Sequence, residues 1–142
     1  MQTSLRTPTV RSLGRADLAH LTALSRQLEA ETADDWARRI GRTGVVIVGA
    51  EVDGILVGYA AGEIRRSFGA VPAGWIDAFG VDFSHRGLGM GRALLTALLA
   101  HLREAGVGHV YTLVPLHDRT MAPFFRELGF RDEAFIPIGR DL

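Results

Sequence analysis

The stretch VDFSHRGLGMGRALL, residues 81–95, decides the fold of this chain. An extended segment at 75–81 leads into it, three alternating glycines follow Arg86, and leucines then recur at helical spacing as far as Leu102. A strand followed by a glycine-rich turn and a helix start is typical of an anion-binding site. The first N–H groups of a helix have no hydrogen-bond partner within the helix, and the helix dipole places partial positive charge at the same end. Arg86 and Arg92 add positive charge beside this loop.

Two common phosphate motifs fit this loop poorly. A P-loop ends in Gly-Lys followed by Ser or Thr, and no such sequence follows these glycines. A dinucleotide fingerprint needs G-x-G-x-x-G and an acidic residue roughly 20 residues further on. The loop reads R-G-L-G-M-G instead, and the next strand candidate is followed by Val114 and Pro115. A nucleotide-binding domain is therefore a weak alternative, and a glycine-rich turn without a ligand is another.

Length and composition predict one soluble, cytoplasmic domain over residues 1–142. Hydrophobic residues make up 47% of the chain, and 16 basic residues balance 16 acidic ones, so no net charge favours nucleic acid. No cysteine is present, which excludes disulfides, a cysteine nucleophile and cysteine-ligated zinc. The N-terminus lacks an apolar signal core, and no apolar run approaches the roughly 18 residues of a membrane span. Five histidines without an i, i+4 pair predict no metal site.

The periodicity of apolar residues predicts an α/β fold with a mixed sheet and helices on both faces. Six strands are predicted, at 9–13, 45–51, 55–65, 74–81, 109–113 and 130–138. Four helices are predicted, at 17–28, 36–40, about 90–104 and 120–128, after a loose lead-in at 1–8 and with a loop at 67–74. Asp53-Gly54 predicts a hairpin within an antiparallel meander. One helix separates the fourth and fifth strands, so these two are predicted to be parallel neighbours.

Two motifs in this order resemble the GNAT superfamily, the Gcn5-related N-acetyltransferases. The loop matches the R/Q-x-x-G-x-G/A signature at Arg86, Gly87, Leu88, Gly89, Met90 and Gly91. The segment 118–130, DRTMAPFFRELGF, is similar to the family's N-x-x-A-x-x-F-Y-x-x-x-G-F, with Asp118 at the asparagine and Phe125 at the tyrosine. The resemblance implies the GNAT acyl-CoA N-acyltransferase fold over most of the chain.

The resemblance also implies a reaction. Acetyl-coenzyme A would be the cosubstrate, with its pyrophosphate in the glycine loop beside Arg92. Backbone groups of Phe79, Gly80 and Val81 would bind its pantetheine arm, and one N–H would serve as the oxyanion donor. The acceptor would be a primary amine, on a small molecule or on a protein, and attack would be direct because no cysteine can carry an acyl group. A homodimer is a further implication.

Two departures from the family pattern affect this interpretation. Phe125 stands where many relatives have a tyrosine that is the presumed general acid for the leaving thiolate, so water would have to supply that proton or none would be needed. This departure keeps open a catalytically silent module that binds acyl-coenzyme A. Asp118 either brings a charge close to the pantetheine or caps the following helix, which Thr120 is also predicted to cap.

Asp77 is the best candidate for the base that deprotonates the amine. It lies in the strand WIDAFGV, where alternation predicts that it shares an apolar face with Trp75 and Phe79. Burial there would raise its pKa from about 3.9 toward the range of a useful base. Some amine acetyltransferases carry a glutamate at this place. The alternative is that Asp77 pairs across the sheet with Arg65 or Arg66, and the sequence leaves both open.

Other ionisable residues are weaker candidates. His117 could act as a second base or acid, and Glu63 could face either the acceptor pocket or solvent, whereas His85 is predicted to be an exposed loop residue. The acidic stretch with Glu29, Glu31, Asp34 and Asp35 is either a solvated loop or, as the resemblance implies, the border of a pocket for a cationic acceptor.

Overall fold

The computed structural model describes residues 8–66 and 71–142. Most of the predicted lead-in and residues 67–70 of the predicted loop lie outside the described residues. A five-stranded sheet runs in the order β1 (Thr9–Ser12), β2 (Val45–Val52), β3 (Ile55–Arg65), β4 (Ala73–Val81) and β5 (Val110–Thr112). The first four strands are antiparallel neighbours and β5 is parallel to β4. The predicted meander and β-α-β crossover are therefore confirmed.

Four helices accompany the sheet, namely α1 (Leu18–Gln27), α2 (Ala33–Arg39), α3 (Met90–Glu104) and α4 (Met121–Glu127). The predicted start of α2, at Trp36, is three residues late. Thr32 and Asp35 form a capping box, in which Asp35 N–H donates to Thr32 Oγ1 at 3.2 Å and Thr32 N–H donates to Asp35 Oδ2 at 2.9 Å. These two bonds satisfy helix-end donors, so the helix begins directly after Thr32.

The predicted strand at 130–138 is wrong, because β5 is followed by no further strand in the described chain. Phe130 packs against the α3-side core, but Phe135, Ile136 and Ile138 are 65%, 80% and 88% exposed, so most of this apolar segment is not buried as a strand of the sheet would be. Two features explain the difference. The edge that could receive the segment, β5, is only three residues long, and Pro137 has no N–H to donate to a strand ladder.

Helices cover both faces of the sheet and create two hydrophobic cores. In the α3-side core, Leu94, Leu95 and Leu98 are fully buried against the sheet, and Phe125 of α4 joins them. In the α1/α2-side core, Trp36 and Tyr59 are fully buried with their rings edge to face, 5.2 Å between centroids. This layering follows from the apolar stripes of α1 and α3, each of which needs a sheet face to bury it.

Asp17 ties the start of α1 to β1. Its carboxylate accepts from Arg11 Nη2 at 2.7 Å and from the Gly14 N–H at 2.9 Å. The Arg11 hydrogen bond first, and the Gly14 bond second, lower the pKa of Asp17 to about 2. Since Arg11 is 41% exposed, solvent screens the pair and keeps its contribution small.

Asp17→Asn is expected to lower the free energy of unfolding by about 1 kcal/mol at neutral pH, mainly because the charge-assisted hydrogen bonds from Arg11 are weakened, whereas the amide oxygen can still accept from the Gly14 N–H. The folded pKa of about 2 lies below the ordinary value, so the stabilisation is present above about pH 4 and is lost as the pH falls toward 2. Urea unfolding of both proteins at pH values from 7 down to 2.5 measures this. A gap that stays constant over that range would contradict the assignment.

Candidate active site at a fork in the sheet

The sheet forks between β4 and β5. The two strands pair only at Gly74–Val110, Trp75–Tyr111 and Ile76–Thr112. The Thr112 hydroxyl donates to the carbonyl oxygen of Ile76 at 3.2 Å and closes the end of this pairing. Beyond that point β4 continues to Val81 along β3, while the chain after β5 turns away. Within the described chain, one edge of β4 is thus left without a strand partner from Asp77 to Val81. Its backbone groups are available to a ligand, except the Val81 carbonyl, which accepts from Arg86 Nε.

A cleft of about 200 Å³ lies in this fork. Its walls are the free part of β4, the chain that follows β5, the start of α4 and the connection between α1 and α2. The lining residues are Glu31, Ile76, Asp77, Ala78, Phe79, Thr112, Leu113, Val114, Pro115, Met121 and Phe125. Glu31 and Asp77 are the only ionisable side chains among these. The cleft is therefore lined mainly by apolar side chains, together with two carboxylates.

A β-bulge at Asp77 changes which face each residue of β4 occupies. Ala61 pairs with Ala78 and Gly62 with Ile76, so Asp77 has no partner on β3. Ile76 and Phe79 consequently both pack into the α3-side core, although simple alternation would separate them. The prediction that Asp77 shares an apolar face with Trp75 and Phe79 is wrong, because the bulge puts those two aromatic residues on opposite faces.

The predicted burial of Asp77 is also wrong. The residue as a whole is exposed, its side chain is 21% exposed, and its Oδ2 accepts from Arg65 Nη2 at 2.8 Å. The cross-strand ion pair with Arg65 is therefore the arrangement that the structure has. Asp77 Oδ1 takes part in no hydrogen bond within the described chain, and Asp77 is one of the residues that line the cleft.

Glu63 belongs to the same row of ion pairs on the sheet surface. Its carboxylate accepts from Arg42 and, at 3.1 Å, from Arg65. Burial alone would raise the pKa of Glu63, but these two guanidinium donors outweigh it and lower that pKa. Because Glu63 does not line the cleft, the alternative in which it faces the acceptor pocket loses its support.

Gly80 allows a tyrosine to lie against the strand. A Cβ at this position would come within 2.8 Å of both Tyr59 Oη and Leu28 Cδ1, which no side chain tolerates. Tyr59 Oη donates to Glu31 Oε2 at 2.9 Å, and burial together with this carboxylate raises the pKa of Tyr59.

Glu31 is the site residue that sequence reasoning did not single out, because it appeared only as one member of an acidic stretch. The useful signal was the Thr32–Asp35 capping box, which fixes the start of α2 at Ala33, two residues after Glu31. Glu29 in the same connection is exposed, which fits the alternative of a solvated loop for that residue. Within this acidic stretch, Glu31 therefore lines the cleft and Glu29 is exposed to solvent.

The glycine loop has the backbone of an anion site. Gly87 and Gly89 have φ of 78° and 80°, and a Cβ at either would meet no atom within 4 Å. Residues with positive φ next to a helix start direct successive backbone N–H groups toward one concave side of the loop, where an anion can accept from them. Arg86 Nε donates to the Val81 carbonyl at 3.0 Å, and its guanidinium lies 3.8 Å from the centre of the Phe83 ring. Arg86 thus holds the loop to the end of β4.

The remaining loop residues fall into two groups. Leu88 and Arg92 are exposed, whereas Met90 is buried in the α3-side core. A Cβ at Gly91 would lie 2.9 Å from Phe79 Cζ, so this glycine lets α3 start close to β4. The loop and the free edge of β4 are thereby brought together at one end of the cleft.

Asp118 caps α4. Its Oδ1 accepts from the N–H groups of Thr120 and Met121, each at 3.0 Å, and from the Thr120 hydroxyl. The bonds from Met121 and Thr120 lower the pKa of Asp118. The capping alternative is therefore the one that the structure has, and the predicted cap by the Thr120 side chain is wrong because that hydroxyl donates to Asp118. Phe125 is 4% exposed and presents only a hydrocarbon ring to the cleft.

No histidine lines the cleft. His85 Nδ1 lies 3.1 Å from Asp82 Oδ2, and the hydrogen bonds from Ser84 and His85 lower the pKa of Asp82. His117 is exposed on the chain after β5. Within residues 8–66 and 71–142, no three histidine or acidic side chains form a group that could hold a metal ion, and no helix is long and apolar enough to cross a membrane.

Comparison with known proteins gives consistent results. The sequence model of the acetyltransferase (GNAT) family matches residues 15–130. A mycothiol acetyltransferase of Paenarthrobacter aurescens is 30% identical over 104 residues, which cover 72% of this chain and 31% of that protein. The chain thus spans about a third of the length of this relative. An aminoglycoside N(6')-acetyltransferase of Stenotrophomonas maltophilia is 28% identical, with 88% of this chain and 87% of that protein covered.

A solved structure has the same fold. It is the aminoglycoside N-acetyltransferase AAC(6')-Iy in complex with CoA, which superposes with a TM-score of 0.87 at 18% identity and covers 99% of each chain.

Proposed function

Because the chain belongs to the GNAT acetyltransferase family, we propose that it transfers the acetyl group of acetyl-coenzyme A to a primary amine of a small molecule. The observation that carries this proposal is the fork between β4 and β5, which opens beside the glycine loop at the start of α3. The relatives named as aminoglycoside and mycothiol acetyltransferases support it.

The residues present suit a coenzyme A ester. The loop from Arg86 to Arg92 offers unpaired helix-start N–H groups and two arginines for the pyrophosphate. The free edge of Phe79, Gly80 and Val81 offers backbone donors and acceptors for an amide-containing arm. The ring of Phe125 gives that arm an apolar wall. Oδ1 of Asp118 is already bonded to the start of α4, so only the other carboxylate oxygen of Asp118 is free to contact the arm.

The chain's own groups have three tasks in the proposed reaction. Acetyl-coenzyme A supplies a thioester, and the amine nitrogen forms a bond to its carbonyl carbon while the carbon–sulfur bond breaks. A backbone N–H on the free edge of β4 stabilises the carbonyl oxygen as it becomes negative. Asp77 Oδ1, directly or through one water, takes the proton that the amine nitrogen loses. The cleft holds the two reactants side by side.

Phe125 has no proton to give to the departing sulfur, so in this proposal the proton comes from water. The same observation supports a second candidate function, a catalytically silent module that binds an acyl-coenzyme A. The two candidates differ in one respect, since only the enzyme consumes the ester when an amine is present.

Calorimetric titration with acetyl-coenzyme A is the experiment that tests the cofactor assignment. Wild type is expected to bind it with micromolar affinity, and Arg86→Ala to bind it about tenfold more weakly, because a charged donor and the clamp on Val81 are lost. NADH is the control ligand and should give no heat of binding. Wild-type protein that fails to bind acetyl-coenzyme A would refute both candidate functions.

Three further sequence predictions remain predictions. They are a single acetyltransferase domain over residues 1–142, a cytoplasmic location and a homodimer. Sedimentation velocity of the purified chain tests the last of these.

A further inference from the structure

Glu31 occupies a different kind of position from the other acidic residues of the α1–α2 connection. It is half-buried and borders the cleft, whereas Glu29 and Asp34 are exposed. Its Oε2 is held by Tyr59 Oη at 2.9 Å, and its Oε1 takes part in no hydrogen bond within the described chain. One oxygen is therefore fixed by the protein, and the other has no hydrogen-bond partner among the described residues.

The group that holds Glu31 is part of the core. Tyr59 is fully buried, its ring lies edge to face with Trp36, and its hydroxyl fits only because Gly80 lacks a Cβ. Trp36 Nε1 in turn donates to the buried Ser25 Oγ at 2.6 Å. A carboxylate supported in this way keeps one orientation, unlike an ordinary surface glutamate, which has several rotamers.

The two carboxylates of the cleft differ in charge balance. Asp77 has its charge countered by Arg65 at 2.8 Å. Among the described residues, no basic side chain lies within ion-pair distance of Glu31. A half-buried carboxylate without a direct ion-pair partner favours a cationic group beside it, and the cleft that Glu31 lines is the open space where such a group can bind.

We propose that Glu31 binds a second ammonium group of the acceptor, and that Tyr59 is the residue that positions it. This inference rests on the proposed acetyl transfer and specifies its substrate class. The acceptor is an amine with at least two basic nitrogens, of which one reacts beside Asp77 and the other pairs with Glu31 Oε1. A diamine, a polyamine or an amino sugar has this chemistry.

The test compares α,ω-diaminoalkanes of increasing chain length with n-alkylamines of the same length. Each amine is titrated calorimetrically into the protein saturated with coenzyme A, and is then used as an acceptor with acetyl-coenzyme A. Wild type is expected to bind the best diamine about tenfold more tightly than its monoamine. Glu31→Gln should remove this preference and raise KM for the diamine about tenfold, while kcat and the monoamine values change less than about twofold.

Two further variants separate a positioning role from a general loss of structure. Tyr59→Phe, which keeps the ring and removes the donor, should weaken diamine binding by about threefold. Glu29→Gln, an exposed neighbour with the same charge change, should leave every value as in wild type.

The outcomes distinguish this inference from the proposed function. Coenzyme A binding that is normal in wild type and in Glu31→Gln, without any preference for diamines, overturns the role of Glu31 alone. Equal losses for diamine and monoamine in Glu31→Gln overturn it as well. Failure of wild type to bind coenzyme A overturns the proposed function itself.

Discussion

Asp77→Asn is expected to lower kcat for amine acetylation by about 100-fold or more at neutral pH, the effect of removing a positioned general base. An amide keeps the size of the side chain and can still bond to Arg65, but it cannot take the proton of the attacking amine. The bulge fixes Asp77 at the cleft independently of its charge, so the fold and the affinity for acetyl-coenzyme A should be unchanged. Steady-state kinetics with the best acceptor, together with a coenzyme A titration, measures both parts.

Asp132→Asn is the matched control, because Asp132 also pairs with an arginine but is 79% exposed and does not line the cleft. Its kcat should equal that of wild type. Full activity in Asp77→Asn would leave Asp77 with only its ion pair to Arg65 and would exclude it as the base. Conversely, if Asp77→Asn loses the turnover that wild type shows but still binds acetyl-coenzyme A normally, the hypothesis of a catalytically silent binding module is excluded.

Trp36→Ala is expected to have the largest effect on stability, a decrease of about 4 kcal/mol in the free energy of unfolding. Trp36 is fully buried in the α1/α2-side core, packs edge to face on Tyr59 and gives Ser25 Oγ its indole donor. The truncation opens a large cavity and leaves the buried hydroxyl with one partner fewer. Urea unfolding with a two-state fit measures the change.

Trp36→Phe retains most of the ring and should cost less than half as much. Phe135→Ala, which removes an aromatic ring that is 65% exposed, should stay within about 0.5 kcal/mol of wild type. If Trp36→Ala were as stable as the Phe135 variant, the packing of α2 on the sheet would be in error, and with it the support of Tyr59.

The strand and helix order was predictable because this chain marks its elements clearly. Asp53-Gly54 joins two alternating runs, and both residues have the positive φ that the hairpin prediction requires. The leucines of α3 recur at helical spacing and are buried as that spacing predicts. The segment 130–138 is also apolar but does not form a strand. A strand needs a sheet edge to pair with, and the local sequence does not show whether such an edge is available.

The candidate site was predictable in part for the same reason. The loop from Arg86 to Gly91 is contiguous, so its geometry follows from its own glycines. The environment of Asp77 depends on the register between β3 and β4, and one bulge reversed the faces inferred from alternation. Glu31 depends on a contact with Tyr59 across 28 residues, which no local pattern contains.

The fork also protects the protein from its own open edge. Unpaired strand edges invite edge-to-edge aggregation with other chains. Here the edge from Asp77 to Val81 is recessed, because the chain after Thr112 stands opposite it. We expect this opposite wall to hinder an invading strand that brings its own sheet neighbours more than a single extended chain. This wall of the cleft therefore also reduces the tendency of the unpaired backbone to act as a template for polymerisation.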